Sequence, residues 1–387
     1  MNASHKKVSF VTTSILSLLV CTQVQAQEVM SKSWGHQAEF GMDVLNAFKA
    51  MPPRRSCNGS GVTVAVIDTG IDPNHPDLRG SLWVNQKEAR GKKAKDEDGN
   101  GFVDDVNGWD FVSNTPSLVD THGHGTHIAG IIGAKGASSS GFSGVCPGVR
   151  IMALRYYNEK ASGVENLRNT VRAIEYAVQN GANIINYSGG GAEFSQPEYR
   201  ALKKAEEKGI LVVAAAGNER SNADVNLYFP AAYPLQNIVS VTAINQAGFV
   251  LPSSNWGVQR VHIAAPGNSV LSTLPNGGYG FMTGTSQATA FVSGLAAYLL
   301  ADNGKLKVAD LKRIILSSAR KHHQLVGKTQ TGAAANAPSA IAMARGRALA
   351  VPSVKKPASM AVQIPARSFF VPANPMAEKG VVVPSRQ

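Results

Sequence analysis

The sequence predicts a three-layer α/β fold, a mainly parallel sheet with helices on both faces, from two observations. Five short apolar runs have the composition of strands buried on both sides. Between them lie stretches of helical period closed by helix start and stop residues. Such alternation builds a parallel sheet through helical crossovers. In these sheets ligands bind at the carboxyl ends of the strands, so the residues after each run are where chemistry is expected.

The first run, "VTVAVI" (62–67), leads straight into Asp68 in "VAVIDTGIDPNHPDL". Next, "DTHGHGTHIAGIIGA" sets three histidines among glycines ahead of a small-residue helix. "RIMALRYY" (150–157) is the second strand, and "NLRNTVRAIEYAVQNG" (166–181) a helix that stops at Gly181. "ANIINYS" (182–188) precedes the helix "QPEYRALKKAEEKG" (196–209), opened by Pro197 and closed by Gly209. "ILVVAAAG" (210–217) and "IVSVTAI" (238–244) complete the strands. The stretch "SQATAFVSGLAAYLLA" carries almost no charge, which predicts a buried helix opening at Ser286.

Composition narrows the class. Of 387 residues 43% are hydrophobic and 17% charged, the balance of a globular protein. The net charge of +12 comes from scattered Lys and Arg with no run interleaved with aromatics, so nucleic acid is not an expected partner. Residues 1–26 read as a secretory signal: a basic start at Lys6 and Lys7, an apolar stretch, and the exit Val24-Gln25-Ala26. The mature chain is expected in a periplasm or outside the cell. Leu-Leu-Val-Cys before Cys21 lacks the small residue of a lipoprotein site, and no later run is apolar enough to span a membrane. A domain over 27–347 is expected, then a flexible, Pro-rich basic tail over 348–387. Cys57 and Cys146 remain after the signal, and their even number allows one disulfide or two buried thiols.

Three residues stand where chemistry is expected. Asp68 puts a carboxylate at the sheet edge, although Asp before Thr-Gly is also an ordinary turn residue. His124 sits at a helix start, where a cation is unfavourable and a neutral imidazole can act as a base. Zinc is the weaker reading of "HGHGTH", because His124 and His127 are three apart and His122 points elsewhere. Ser286 is a helix cap or a nucleophile facing first-turn amides. The combination decides, since Asp, His and Ser occur together in the order used by one known catalytic triad.

With these segments the chain resembles the subtilisin-like serine proteases, from about Trp34 to about Arg347. "VIDTGIDPNHPDL", "GHGTHIAGIIGA" and "STLPNGGYGFMTGTSQATAFVSG" match the segments of the family's Asp, His and Ser. The resemblance implies endopeptidase action on polypeptides by a monomer, with Ser286 as nucleophile, His124 as base and Asp68 orienting it. It further implies Asn218, in "VVAAAGN", as an oxyanion donor and Ser188, Gly189 and Gly190, in "NIINYSGGG", as the substrate-binding strand. Four departures stand out. Gly189 replaces a larger apolar residue, which implies a roomier or less defined subsite. Gln287 replaces an oxidisable methionine. Ala290-Phe291 replaces Pro-His, and the few residues between Ala26 and "WGHQAEFGMDVLNAF" leave no place for the usual inhibitory propeptide. A fold that keeps binding and has lost turnover is the competing reading.

"KDEDGNGFVDDVNGWDF" has the oxygen donors of a calcium loop. Asp96, Asp98 and Asn100 alternate, Gly101 permits a sharp turn, Phe102 offers a carbonyl, and Asp104 or Asp105 closes the shell. Similar inserts bind Ca2+ in the family, so the resemblance implies a structural calcium; the plain alternative is a solvated acidic loop. Asp77 matches a second calcium position, but "ASSSGFSGVCPG" lacks its Asn partner and no second site is assigned. The resemblance also places Cys57 and Cys146 before neighbouring parallel strands, which implies a bridge between them.

Overall fold

Alternate side chains of the first strand part to opposite faces, and this alone requires two helical layers. In β1 (Thr63–Asp68), Val64 and Val66 enter one core while Ala65 and Ile67 enter the other. The computed structural model describes residues 61–136 and 142–346. The expected signal segment, Cys57 and the expected tail lie outside the described residues.

With strands numbered in chain order, the nine-stranded sheet begins at one edge with β10 (Arg320–Lys321) and β11 (Ala333–Ala334). It continues through β7 (Ile263–Pro266), β6 (Ile238–Ile244) and β5 (Leu211–Ala215). β4 (Ile184–Tyr187), β1, β3 (Arg150–Arg155) and β2 (Gly108–Asp110) complete it. Every pairing is parallel except β10 with β11. The expected fold class is the one observed.

Two helices cover one face: α2 (His124–Gly133) and α5 (Thr285–Asp302) bury Ile128, Ile131, Phe291 and Leu295 with Val64, Val213 and Val241. On the other, α3 (Gly163–Gln179) and α4 (Gln196–Glu207) bury Ile174 and Leu202 with Ile67, Met152 and Val212. α3 starts three residues ahead of the predicted run, and a serine caps each helix. Ser162 Oγ accepts from the Glu165 N–H at 3.2 Å, and Ser195 Oγ from the Glu198 N–H at 3.3 Å. The Ala290-Phe291 departure leaves α5 unbroken, because Phe291 goes wholly into the core.

Several elements had no clear signature: α1 (Gln86–Arg90), β2, the hairpin of β8 (Val270–Leu274) with β9 (Gly278–Met282), β10, β11, α6 (Val308–Ser317) and α7 (Ala337–Ala344). Most are too short to show a period. The predicted run 150–157 ends at Arg155, so Tyr156 and Tyr157 leave the sheet at its carboxyl edge. No helix of the described residues is long and apolar enough to cross a membrane.

Candidate active site

Three neighbouring strands deliver the expected residues to one edge. β1 ends in Asp68, Ser188 directly follows β4, and Asn218 stands just beyond β5. In register, Ile67 lies opposite Tyr187, and Tyr187 opposite Ala214. Adjacent strands are about 4.8 Å apart, so the three chain exits are close neighbours.

Asp68 is 4% exposed, and its Oδ1 accepts from the Thr69 N–H at 2.8 Å and from His124 Nδ1 at 2.7 Å. A proton on Nδ1 leaves Nε2 with a free lone pair. Burial lowers the proton affinity of this imidazole, but the charge and hydrogen bond of Asp68, with the charge of Asp120, outweigh it, and the pKa is raised.

Asp120 escaped the sequence reading, yet it anchors the histidine turn. Its Oδ1 accepts from the Thr69 hydroxyl and the Gly123 N–H, and its Oδ2 from the N–H and hydroxyl of Thr126. The start of α2 has no side-chain cap from its own Gly123, so Asp120 satisfies those orphan donors instead. Gly125 permits the approach: a methyl group there would lie 2.0 Å from the Gly70 carbonyl oxygen. His127 is wholly buried. Its Nε2 reaches the carbonyls of Val270 and Gly280 at 3.0 and 3.1 Å, and burial lowers its pKa to about 4.

Ser286, 7% exposed, lies in the first turn of α5, one residue inside the expected start, and that turn has no side-chain cap of its own. Its Oγ donates to the Ser188 carbonyl at 3.0 Å, and no hydrogen bond joins it to His124. Asn218 lies beside it. Its Oδ1 accepts from the N–H and hydroxyl of Thr285 at 3.1 and 3.2 Å, which frees Nδ2 on an exposed residue. Gln287 is 1% exposed, with Nε2 buried and unpartnered.

The edge expected to bind substrate is short. Ser188 Oγ accepts from Asn186 Nδ2 at 2.9 Å, and Gly191 already pairs with Phe229 in both directions. The room expected at Gly189 is absent, because the hydroxyl of Tyr156 stands where a side chain at 189 would begin.

The acidic insertion brings Asp98, Asn100 and Asp105 of the expected residues together and adds Glu88 to them. Glu88, Asp98 and Asp105 place carboxylate oxygens within 4.8 Å of one another. Asn100 joins them, with Nδ2 donating to Asp105 at 2.8 Å and to Asp98 at 3.2 Å. Asp96 instead accepts from the N–H groups of Gly99, Asn100 and Gly101. Asp104 accepts from the Ala94 N–H, and Phe102 packs edge to face on Trp109 and Tyr176. Glu88 lies on α1, ahead of the quoted insertion, so no local spacing pointed to it. Among the described residues no Lys or Arg forms an ion pair with any of the three carboxylates, and burial pushes the pKa of Asp105 up. Two buried carboxylates and a half-buried one, all oxygen donors with no cationic partner among the described residues, fit a hard divalent cation such as Ca2+.

An α/β sheet with an Asp-paired histidine and a serine of a helix's first turn at its carboxyl edge defines the class of protein. The chain belongs to the subtilase family, whose profile matches residues 59–340. It is 35% identical over 263 residues to thermitase from Thermoactinomyces vulgaris, covering 68% of this chain and 82% of that one. Subtilisin-like protease 1 of Plasmodium berghei (strain Anka) is 31% identical over 300 residues, covering 73% and 50% of the two chains. A thermophilic serine proteinase from Bacillus sp. (strain AK1) is 36% identical over 262 residues, covering 68% and 57%. The chain thus matches about half the length of the latter two relatives. The crystal structure of a cold adapted subtilisin-like serine proteinase superposes with a TM-score of 0.57 at 30% identity, covering 72% and 88%.

Proposed function

We propose that the protein is a secreted serine endopeptidase that hydrolyses polypeptides through an acyl-enzyme. The observation that carries this reading is the Asp68–His124 hydrogen bond, which fixes the tautomer with a basic Nε2 at the sheet edge that also holds Ser188 and Asn218. The Ser286 hydroxyl turns from the Ser188 carbonyl toward His124 and gives up its proton to Nε2 as Oγ bonds to the substrate carbonyl carbon. The oxyanion accepts from the Ser286 N–H and Asn218 Nδ2. His124 then protonates the leaving amine, and water, activated by the same nitrogen, releases the acid. Substrate lies extended along Ser188, Gly189 and Gly190, using main-chain bonds for affinity. Secretion is supported by the signal pattern in residues 1–26.

A binding protein without turnover has one observation in its favour, the Ser286 bond to Ser188 in place of one to His124. Catalytic hydrogen bonds often form only with substrate present, so turnover is the better reading. Incubation with an unfolded polypeptide separates the two. Mass spectrometry is expected to find internal cleavage products, with kcat/KM roughly 10²–10³ lower for Asn218→Ala. Intact polypeptide after exposure to folded protein would leave the binding reading.

The pH profile supplies another test. His124 must be neutral to act as base, so activity falls as acid protonates it, and its raised pKa places the acid limb of kcat/KM above about pH 6.5. An acid limb below about pH 6 would contradict the Asp68 pairing.

Ca2+ would be held by Glu88, Asp98 and Asp105, with Asn100 beside them, and would supply charge neutralisation that fixes the insertion to α1. The Cys57–Cys146 bridge belongs to the same proposal, supported by the disulfide-bonded state of buried Cys146.

A further inference from the structure

Tyr156 follows β3 and carries its phenol to the Gly189 edge. A methyl group built on Gly189 would lie 2.1 Å from the Tyr156 hydroxyl oxygen and 3.2 Å from a ring carbon of Tyr187. The Tyr156 ring meets Tyr187 edge to face at 5.9 Å and Tyr157 edge to face at 6.0 Å. The ring is therefore held, and its hydroxyl has a fixed place on the peptide-binding edge.

That hydroxyl has no hydrogen bond to any described residue, whereas Tyr187 and Tyr233 give theirs to Glu198 at 3.1 and 2.7 Å. Tyr156 is half-buried, and burial, followed by the charge of Asp68, pushes its pKa well above 10. It stays a neutral donor throughout the working range of an imidazole base. A half-buried donor without a partner lowers the free energy of any ligand that brings an acceptor to it.

We propose that Tyr156 is a specificity-determining residue: its hydroxyl donates to the substrate side chain lying over Gly189, and its ring closes that space to large apolar groups. The position takes a short side chain with an oxygen acceptor, such as Asn, Asp or Ser, and rejects Leu or Phe. This rests on the peptidase reading and deepens it. Selectivity arises because an apolar side chain leaves the phenol unpaired and meets its ring, and sites built around a hydrogen bond discriminate strongly against analogues lacking it.

The test is competition among peptides that vary one position at a time on both sides of the scissile bond, with relative kcat/KM read by mass spectrometry. The parent is expected to favour Asn over Leu at one position. Tyr156→Phe, which removes one oxygen, is expected to lower that ratio about tenfold there and nowhere else. Tyr156→Ala is expected to reverse the preference toward Leu at the same position. Ratios within about twofold of the parent at every position in Tyr156→Phe would overturn the proposal. Fluorophosphonate labelling of Ser286 in parent and variants separates the two failures. An unlabelled parent defeats the peptidase reading itself; labelled proteins with unmoved ratios defeat only the role of Tyr156.

Discussion

Ser286→Ala is expected to lower kcat for polypeptide hydrolysis on the order of 10⁶-fold, the loss typical of removing the nucleophile from such a triad. The Ser188 carbonyl cannot replace the lost oxygen, and water cannot use the helix geometry that holds Oγ at the start of α5. A residual acceleration of about 10³–10⁴ over water should persist, because the Ser286 N–H and Asn218 remain. Folding should survive, since the variant loses one hydrogen bond worth about 1 kcal/mol and leaves no cavity larger than a hydroxyl. Initial rates compared at equal concentrations of folded protein check this. A loss below about tenfold would mean that another group attacks.

Removal of calcium is expected to produce the largest change in stability. Three carboxylates within 4.8 Å, without an ion-pair partner among the described residues, repel one another in a partly buried setting. An ion present at about one hundred times its Kd stabilises the native state by about 2.7 kcal/mol. For a domain of this size that corresponds to a Tm shift of roughly 4–5 °C. Thermal unfolding with calcium and with excess chelator measures it directly. Asp105→Asn should lose most of the chelator response, whereas Asp96→Asn should keep it, because Asp96 ties its own turn through backbone N–H groups. An equal Tm with and without chelator would return the insertion to a solvated loop. Loss of the response in Asp96→Asn alone would restore the ligand set suggested by spacing.

The contrast between Asp96 and Asp105 shows where sequence reading stops. Buried strands are legible because both faces are apolar, and α3 and α4 because a helical period runs into a closing glycine in each. Asp68, His124 and Ser286 are legible because each adjoins an element with a clear signature. Glu88, Asp120 and Tyr156 act across distances that no local pattern encodes. Glu88 reaches the insertion from a short helix, and Asp120 binds Thr69 from the far end of a loop. Gly189 gives the clearest lesson, since the space beside a glycine belongs to whatever side chain arrives from another strand. The 150–157 run has only the signature of a strand, and its last two residues leave the sheet to shape the site.

The central claim is that Ser286 is an activated nucleophile, and covalent trapping tests it most directly. The calcium-loaded protein and its Ser286→Ala variant would each be treated with a fluorophosphonate probe and digested for peptide mapping. The account predicts one adduct, on Ser286, absent from the variant and formed more slowly below the pKa of His124. A folded parent that forms no adduct, or forms it on another serine, would contradict the account.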